Sequence, residues 1–380
     1  MERAIAHMDL DTFFVSCERL RASVLDKKPV IIGGGDRGVV ASCSYEARKF
    51  GVRSAMPIRM ALRLCPEAMV IKGDMEYYSQ MSHVVTEIIQ EKVPVMEKAS
   101  VDEFYLDLSG MDQFFGCYQW TSEIAEAVKK QAGLPISFAL STNKTVSKIG
   151  TGEAKPGKLE LKMKEIQPFL NPLSVKKIPM VGDVTFQLLS RLGVRKIETL
   201  SKMPVDVLQE MIGKNGIELW KKANGIDNDP VVQYSERKSI STETTFTEDT
   251  IDVLHINSIL CGMVEQLCYQ LRKEKWLTST VSVRIRYANF DTETKQCKVP
   301  YTSADHTLLK YVLELFKKVY TRRMRIRLVG VRFTGLVHGS HQMDLFEDTE
   351  ELISLYQAMD KMKDRFGAKS LGRASGFLTQ

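Results

Sequence analysis

Two groups of carboxylates interrupt otherwise apolar sequence in the first part of the chain. Asp9 and Asp11 close the run Ala4-Ile-Ala-His-Met-Asp-Leu10, and Asp102 and Glu103 sit together inside Ser100-Val-Asp-Glu-Phe-Tyr-Leu-Asp-Leu108. Adjacent carboxylates among such neighbours are costly unless they are paired or bound to metal. Hard oxygen ligands suit Mg2+, which takes one or two carboxylates and completes its shell with phosphates and water. Two such ions can activate a hydroxyl and stabilise a leaving oxygen in an in-line displacement. A surface hairpin carrying solvated acids has the same spacing, and spacing alone leaves both readings open.

A phosphate-binding set would face those acids. Ser42, Tyr45 and Arg48 fall on a loop-to-helix segment, with Tyr45 and Arg48 three apart and therefore on one helix face. Arginine suits bidentate phosphate contact, and Lys155 stands in the loop Ala154-Lys-Pro-Gly157. Exposed Arg and Lys are more often simply solvated. Further on, Ile178-Pro-Met-Val-Gly182, a helical stretch and Leu192-Gly-Val194 outline a helix-hairpin-helix. Such a motif can hold a DNA backbone on helix N-terminal amides.

The elements that must position these groups read as follows. Residues 4–10 predict a largely buried strand, and Pro29–Ile32 a second strand, ended by the turn signal Gly33-Gly-Gly-Asp36. Ser44–Phe50 reads as a helix stopped at Gly51, and Met56–Cys65 as another, closed by Pro66. Met81, Val84, Val85, Ile88 and Ile89 give residues 74–92 a helical period. The acidic segment 100–108 reads as a strand or hairpin, followed by a helix at about 119–131 and a strand, Ile136–Ser141. The order β-α-β-β-α-β fits an antiparallel sheet with helices on one face, the ferredoxin-like plan. Short helices punctuated by Pro and Gly follow to about Val232, and 233–239 reads as an exposed linker. Strands return from Ile240 to His338, with helices near 252–274 and 305–321, so a separate α+β domain is expected.

Composition narrows the class. The 380 residues allow two to four domains, and 44% hydrophobic and 26% charged residues are ordinary for a soluble globular protein. No run of about 18 apolar residues occurs, so no membrane association is expected. The N-terminus lacks the apolar stretch of a secretory signal. Seven scattered cysteines without a Cys-x-x-Cys pair argue against a disulfide framework or structural zinc, and fit a reducing cytoplasm. Net charge is +6, and its excess is local: residues 237–338 carry 17 Lys/Arg against 10 Asp/Glu. A basic domain on a near-neutral body suggests a polyanion partner, most often nucleic acid.

The motifs then converge on a known family. Met8-Asp-Leu-Asp-Thr-Phe-Phe14 with Glu18, Ser44-Tyr-Glu-Ala-Arg-Lys-Phe-Gly-Val52, Ser100–Asp107, Ser141-Thr-Asn-Lys144 and Ala154-Lys-Pro156 follow one another in the order and spacing of Y-family, translesion DNA polymerases. The chain resembles that family, nearest to a bacterial subgroup, over about residues 3–338. The resemblance implies an α+β multidomain right hand. The palm would be 1–10 with 74–163, the fingers 11–73, the thumb 164–232 with its helix-hairpin-helix, and the little finger 240–338, the basic domain found above. It further implies template-directed extension of a primer from dNTPs by a monomeric enzyme, with two Mg2+ (Mn2+ substituting) and error-prone synthesis in DNA repair. No exonuclease motif is seen, so proofreading is expected to be absent.

Carried over residue by residue, Asp9 and Asp102 would ligate both ions. The Leu10 carbonyl would complete the nucleotide-side ion, and Glu103 would serve the ion that activates the primer 3′-hydroxyl. Phe13, Ser42, Tyr45, Arg48 and Lys155 would contact the nucleotide, and Phe14 would be the steric gate against a ribose 2′-hydroxyl. Ala41, with little side chain over the nascent pair, implies a roomy site. Gly182, Arg237, Lys238 and Arg332 would meet DNA. After the little finger, Gln342-Met-Asp-Leu-Phe346 resembles the pentapeptide by which bacterial polymerases bind the ring-shaped sliding clamp, with Gln342, Leu345 and Phe346 as anchors. An amphipathic helix is expected next, on Leu352, Leu355, Tyr356, Met359 and Met362, with no role assigned to it. A nucleotidyl cyclase shares a palm-like sheet with metal-binding carboxylates, but it would need neither thumb nor basic fourth domain. An inactive polymerase relative is disfavoured by the complete Asp9, Asp102, Glu103 and Phe14 set.

Two features depart from the family pattern. The thumb turn reads Pro179-Met-Val-Gly182 instead of Pro-Gly-x-Gly, and Met lacks glycine's freedom at positive φ. Gly150 and Gly152 would each loosen their helix by about 1 kcal/mol.

Overall fold

The computed structural model describes residues 3–35, 37–111, 116–339, 350–367 and 370–376. It divides into two compact units, Met1–Ser235 and Glu236–Gln380.

The first unit is built on a five-stranded sheet in the order Val95–Lys98, Glu103–Asp107, Ile5–Leu10, Ile136–Ser141, Lys158–Glu160. All neighbours are antiparallel except the last pair. Period-2 alternation sorts the two faces. Ala6, Met8, Leu10, Phe104, Leu106 and Phe138 join one core beneath the helices Met75–Gln90 and Cys117–Ala132. His7, Asp9, Glu103 and Tyr105 alternate with them and so take the other face. On that second face the helix Lys144–Ala154 packs against the central strands, with Gly150 facing Ala139. Its cap explains the Ser-Thr-Asn-Lys motif: the Asn143 side chain accepts from the Val146 N–H at 2.9 Å and donates to the Gly225 carbonyl at 2.8 Å. The helix is unbroken through both Gly150 and Gly152.

The segments expected to be fingers and thumb complete this unit. A three-stranded sheet of Ser42–Cys43, Val30–Ile32 and Met69–Ile71 carries the short helices Tyr45–Lys49 and Ile58–Leu64 around their own small core. Five helices between Met163 and Ala223 pack around Ile178, Leu189, Leu200, Leu208 and Leu219. The turn before the Asp183–Arg191 helix keeps its shape because Met180 takes the left-handed conformation, with φ of 79° and its side chain 76% exposed. Residues 227–232 are tied to the palm, where Glu97 receives Lys144 and the Val232 N–H and Asp227 receives Thr145.

The second unit is a five-stranded antiparallel sheet, four strands in the order Thr292–Thr302, Trp276–Tyr287, Ile326–Thr334, Ser239–Thr250 and a short fifth, Val337–His338, paired with the start of Trp276–Tyr287. Helices Val253–Lys273 and Asp305–Val319 cover one face. The other face is polar and bears a shallow cavity of about 200 Å³ lined by Glu243, Arg284, Gln296 and Arg332. The expected tail helix, Glu350–Phe366, docks on this unit's helical layer. It does so through part of the expected stripe, with Tyr356 buried and Leu352 and Met359 half-buried. Lys363 is also buried, while Leu355 and Met362 are exposed. Arg272 bridges Asp305 and Asp360, and the Tyr356 hydroxyl meets His306.

Candidate active site

Strand register assembles the acids. Asp9 lies directly opposite Glu103 across the antiparallel pair, and opposite Ser137 on its other side. Asp102 is not inside a strand as the apolar pattern suggested. It closes the turn before Glu103–Asp107, because the Ser100 hydroxyl accepts from the Asp102 and Glu103 amides at 3.3 and 3.1 Å. The same hydroxyl donates to the Asp102 carboxylate at 2.6 Å. The Leu10 N–H donates to the Asp102 carbonyl at 3.0 Å, which locks this turn to the end of the first strand.

Two lysines from the neighbouring segment meet the carboxylates. Lys155 pairs with Asp9, and Lys148 with Glu103 at 2.5 Å. Burial lifts the Asp9 carboxyl to about 6; Lys155 draws it down, while Asp102 and Glu103 push it up. Beneath them His7 is buried, stacked in a tilted contact on Tyr105, with one ring nitrogen 4.0 Å from Glu103. Neither ring nitrogen has a hydrogen-bond partner. Burial first, then the Lys148 and Lys155 charges, hold the imidazole well below its ordinary pKa.

Asp11 leaves this group. Its carboxylate accepts from Ser137 at 2.9 and 2.8 Å and from the Tyr45 hydroxyl at 3.2 Å, joining the five-stranded sheet to the Tyr45–Lys49 helix. Ser137 also accepts from the Gly157 N–H at 3.0 Å, which places the loop after Lys155. Burial, then the Asp11 charge, push the Tyr45 phenol up to about 12. The Arg48 guanidinium lies 5.1 Å above the Tyr45 ring, and Ser42 is on the adjoining strand.

Of the other expected contacts, Phe13 has its side chain in the core, whereas Phe14 is half-buried at the core's edge. The Gly182 N–H donates to the Met180 carbonyl at 3.2 Å. Arg237 forms two bonds to Glu274, at 2.9 and 2.8 Å. Lys238 is exposed, and Arg332 stands on the polar sheet face, donating to Ser239 at 3.0 Å. Gln342, Leu345 and Phe346 lie outside the described residues. Lys148, His7, Ser100 and Ser137 went unnoticed in the sequence. Only Ser100, two residues before Asp102, offers a local signal.

Among the described residues no three acid, imidazole or thiol groups form a ready-made metal cage. The donor set still fits Mg2+, which relies on one or two carboxylates together with substrate phosphates. The Asp102 and Glu103 charges stand close enough to Asp9 to raise its carboxyl.

Comparison with known proteins gives the same direction over most of the chain. Residues 8–152 match the impB/mucB/samB family, and residues 237–345 match that family's C-terminal domain. A protein called DNA polymerase IV 2 of Methanosarcina mazei is 35% identical over 91% of this chain and 96% of its own. A DNA polymerase IV of Dehalococcoides mccartyi is 34% identical over 97% and 96%. Among solved structures, a Dbh–Dpo4–Dbh chimera of Y-family DNA polymerase superposes with a TM-score of 0.81 at 25% identity, over 88% of this chain and all of that one. DinB from Sulfolobus solfataricus, 24% identical, shares the fold with a TM-score of 0.61.

Proposed function

Because this chain belongs to the impB/mucB/samB family and is a Y-family, DNA-directed DNA polymerase, we propose that it adds deoxynucleotides to a primer 3′-hydroxyl at the Asp9–Asp102–Glu103 face. Template–primer DNA and dNTPs are its substrates. The observation that carries this reading is the register placing Asp9 opposite Glu103, with Asp102 locked beside both. Two divalent ions held by Asp9, Asp102, Glu103 and the Leu10 carbonyl would supply charge for hydroxyl activation and for the leaving pyrophosphate.

The chain's own part is positioning, the main source of catalysis in phosphoryl transfer. Ser42, Tyr45, Arg48 and Lys155 orient the triphosphate; Tyr45 is held by Asp11, and the Lys155 loop by Ser137. Lys148 and Ser100 hold Glu103 and Asp102 in place. Phe14 excludes a 2′-hydroxyl. The polar sheet face of the second unit, with Arg332, grips phosphates without reading sequence. Synthesis proceeds without proofreading, in the cytoplasm, by a monomer that Gln342, Leu345 and Phe346 tether to a sliding clamp. Primer extension on a defined template tests the assignment. Asp9→Ala, Asp102→Ala and Glu103→Ala should each abolish extension while retaining DNA binding. Near-parent extension by both Asp102→Ala and Glu103→Ala would refute it.

A further inference from the structure

His7 and Glu103 are diagonal neighbours on one face of the sheet, since His7 pairs with Tyr105 and Asp9 with Glu103. The His7 ring rests on Tyr105 in a tilted contact, with centroids 4.7 Å apart. Over the same strand crosses the Lys144–Ala154 helix. Its Ser147 donates to the Ile5 carbonyl at 2.6 Å, and its Thr151 to the His7 carbonyl at 2.9 Å. Held in this way the imidazole is only 1% exposed, and neither nitrogen has a partner among the described residues. A polar ring buried without a hydrogen bond destabilises a fold. A phenyl ring would fill nearly the same space without that cost.

The nearest use for the ring is the Glu103 carboxylate. His7 Nε2 lies 4.0 Å from Glu103 Oε1, about 1 Å beyond a hydrogen bond. The other oxygen, Oε2, accepts from Lys148 at 2.5 Å. The carboxylate therefore stands between an ammonium from the helix and an imidazole from the strand, one facing each oxygen. An ionised carboxylate offers about four lone-pair sites, so two such bonds leave room for an ion. Glu103 is a quarter exposed and can shift; the buried ring cannot.

We propose that His7 is a positioning residue for Glu103, its ring N–H fixing the carboxylate jointly with Lys148 when a divalent ion binds. The inference rests on the reading of Asp9, Asp102 and Glu103 as the ion-binding face. In the metal-free chain the N–H is orphaned; a shift of Glu103 at the loaded site closes the gap. Groups that hold a metal-ligating carboxylate are worth about 10–100-fold in ion affinity or activity. A purely structural His7 would, on replacement by Phe, lose stability and leave ion affinity unchanged. A positioning His7 does the reverse, so the two roles differ in sign.

Three measurements on the parent, His7→Phe, His7→Gln and Glu103→Ala separate them. They are the melting temperature of the metal-free chain, single-turnover extension, and Mn2+ affinity. The last is read from the free-ion paramagnetic resonance signal, with the enzyme on dideoxy-ended primer–template and dNTP. His7→Phe should melt about 2–4 °C above the parent, yet need about tenfold more Mn2+ for half-saturation and extend more slowly. His7→Gln, which keeps an N–H donor, should recover most of that loss. If His7→Phe keeps the parent's Mn2+ affinity while Glu103→Ala loses it, the positioning role is overturned and the ion-binding face stands. If Glu103→Ala keeps it as well, that face is misassigned and this inference falls with it. A lower melting temperature in a folded His7→Phe overturns the orphaned-ring argument. Should His7→Phe fail to fold, 15N spectra of histidine-labelled parent and Glu103→Ala in Mg2+ decide. His7 ring resonances that coincide in the two would overturn the role.

Discussion

Gly150 and Gly152 sit two residues apart in one helix, yet the same substitution should move them in opposite directions. A methyl added at Gly150 would come within 2.9 Å of the Ala139 side chain and 3.3 Å of Leu161. Carbon atoms in contact prefer about 3.5–4.0 Å, so the overlap approaches an ångström. Ala139 is fully buried in a central strand and cannot move aside. The helix must lift instead. Overpacking of this kind costs about 1–3 kcal/mol, against about 1 kcal/mol of helix propensity recovered from glycine. Gly150→Ala should therefore destabilise by about 1 kcal/mol. At Gly152 nothing lies within 4 Å, so Gly152→Ala should stabilise by about 0.5–1 kcal/mol. The two variants should melt about 4–8 °C apart, at about 2–4 °C per kcal/mol for a body of this size. Activity should split as well, because Lys148 lies on this helix and Lys155 follows it. A lifted helix carries both lysines away from their carboxylates, so primer extension should slow in Gly150→Ala alone. If both variants melt together, or Gly150→Ala is the more stable, the packing argument is wrong.

Met180 occupies a left-handed position at the thumb turn. Relief of about 1–2 kcal/mol there, less about 0.5–1 kcal/mol of glycine's extra chain entropy, predicts that Met180→Gly raises thermal stability slightly; a lower melting temperature would contradict this. Lys148→Met should slow single-turnover extension by about tenfold by freeing Glu103, with Lys148→Arg largely restoring it. Equal rates in Lys148→Met and the parent would show that the ion pair does not position the carboxylate. Replacing Gln342, Leu345 and Phe346 by Ala should leave extension by the isolated enzyme unchanged and remove stimulation by a loaded clamp. Undiminished stimulation would put the contact elsewhere.

The palm was readable because burial on one face writes itself into every second residue, as Ala6, Met8 and Leu10 do. Several strands were not, among them the short Ser42–Cys43, Met69–Ile71 and Lys158–Glu160. Val95–Lys98 is only four residues long and is a strand because Glu103–Asp107 pairs with it. Thr292–Thr302 is an edge strand with mostly polar, exposed residues, so no apolar alternation marked it. The tail helix was readable as a helix, and Leu352, Tyr356 and Met359 of its stripe do turn inward; Leu355 and Met362 stay exposed, because ion pairs of Asp360 help orient the helix. At the site, the acids stood out because carboxylates are rare among apolar neighbours. Lys148 did not, because its meeting with Glu103 depends on a helix crossing a sheet.

The alternation in the first strand has a further bearing on how the chain assembles. Core residues and the proposed acidic ligand Asp9 share the strand on opposite faces. A slip of one position in pairing would turn the acid into the core and the core into water. A molecule slipped in this way would lose its core and its cluster of carboxylates together. One register thus sets both the burial of the core and the meeting of the carboxylates.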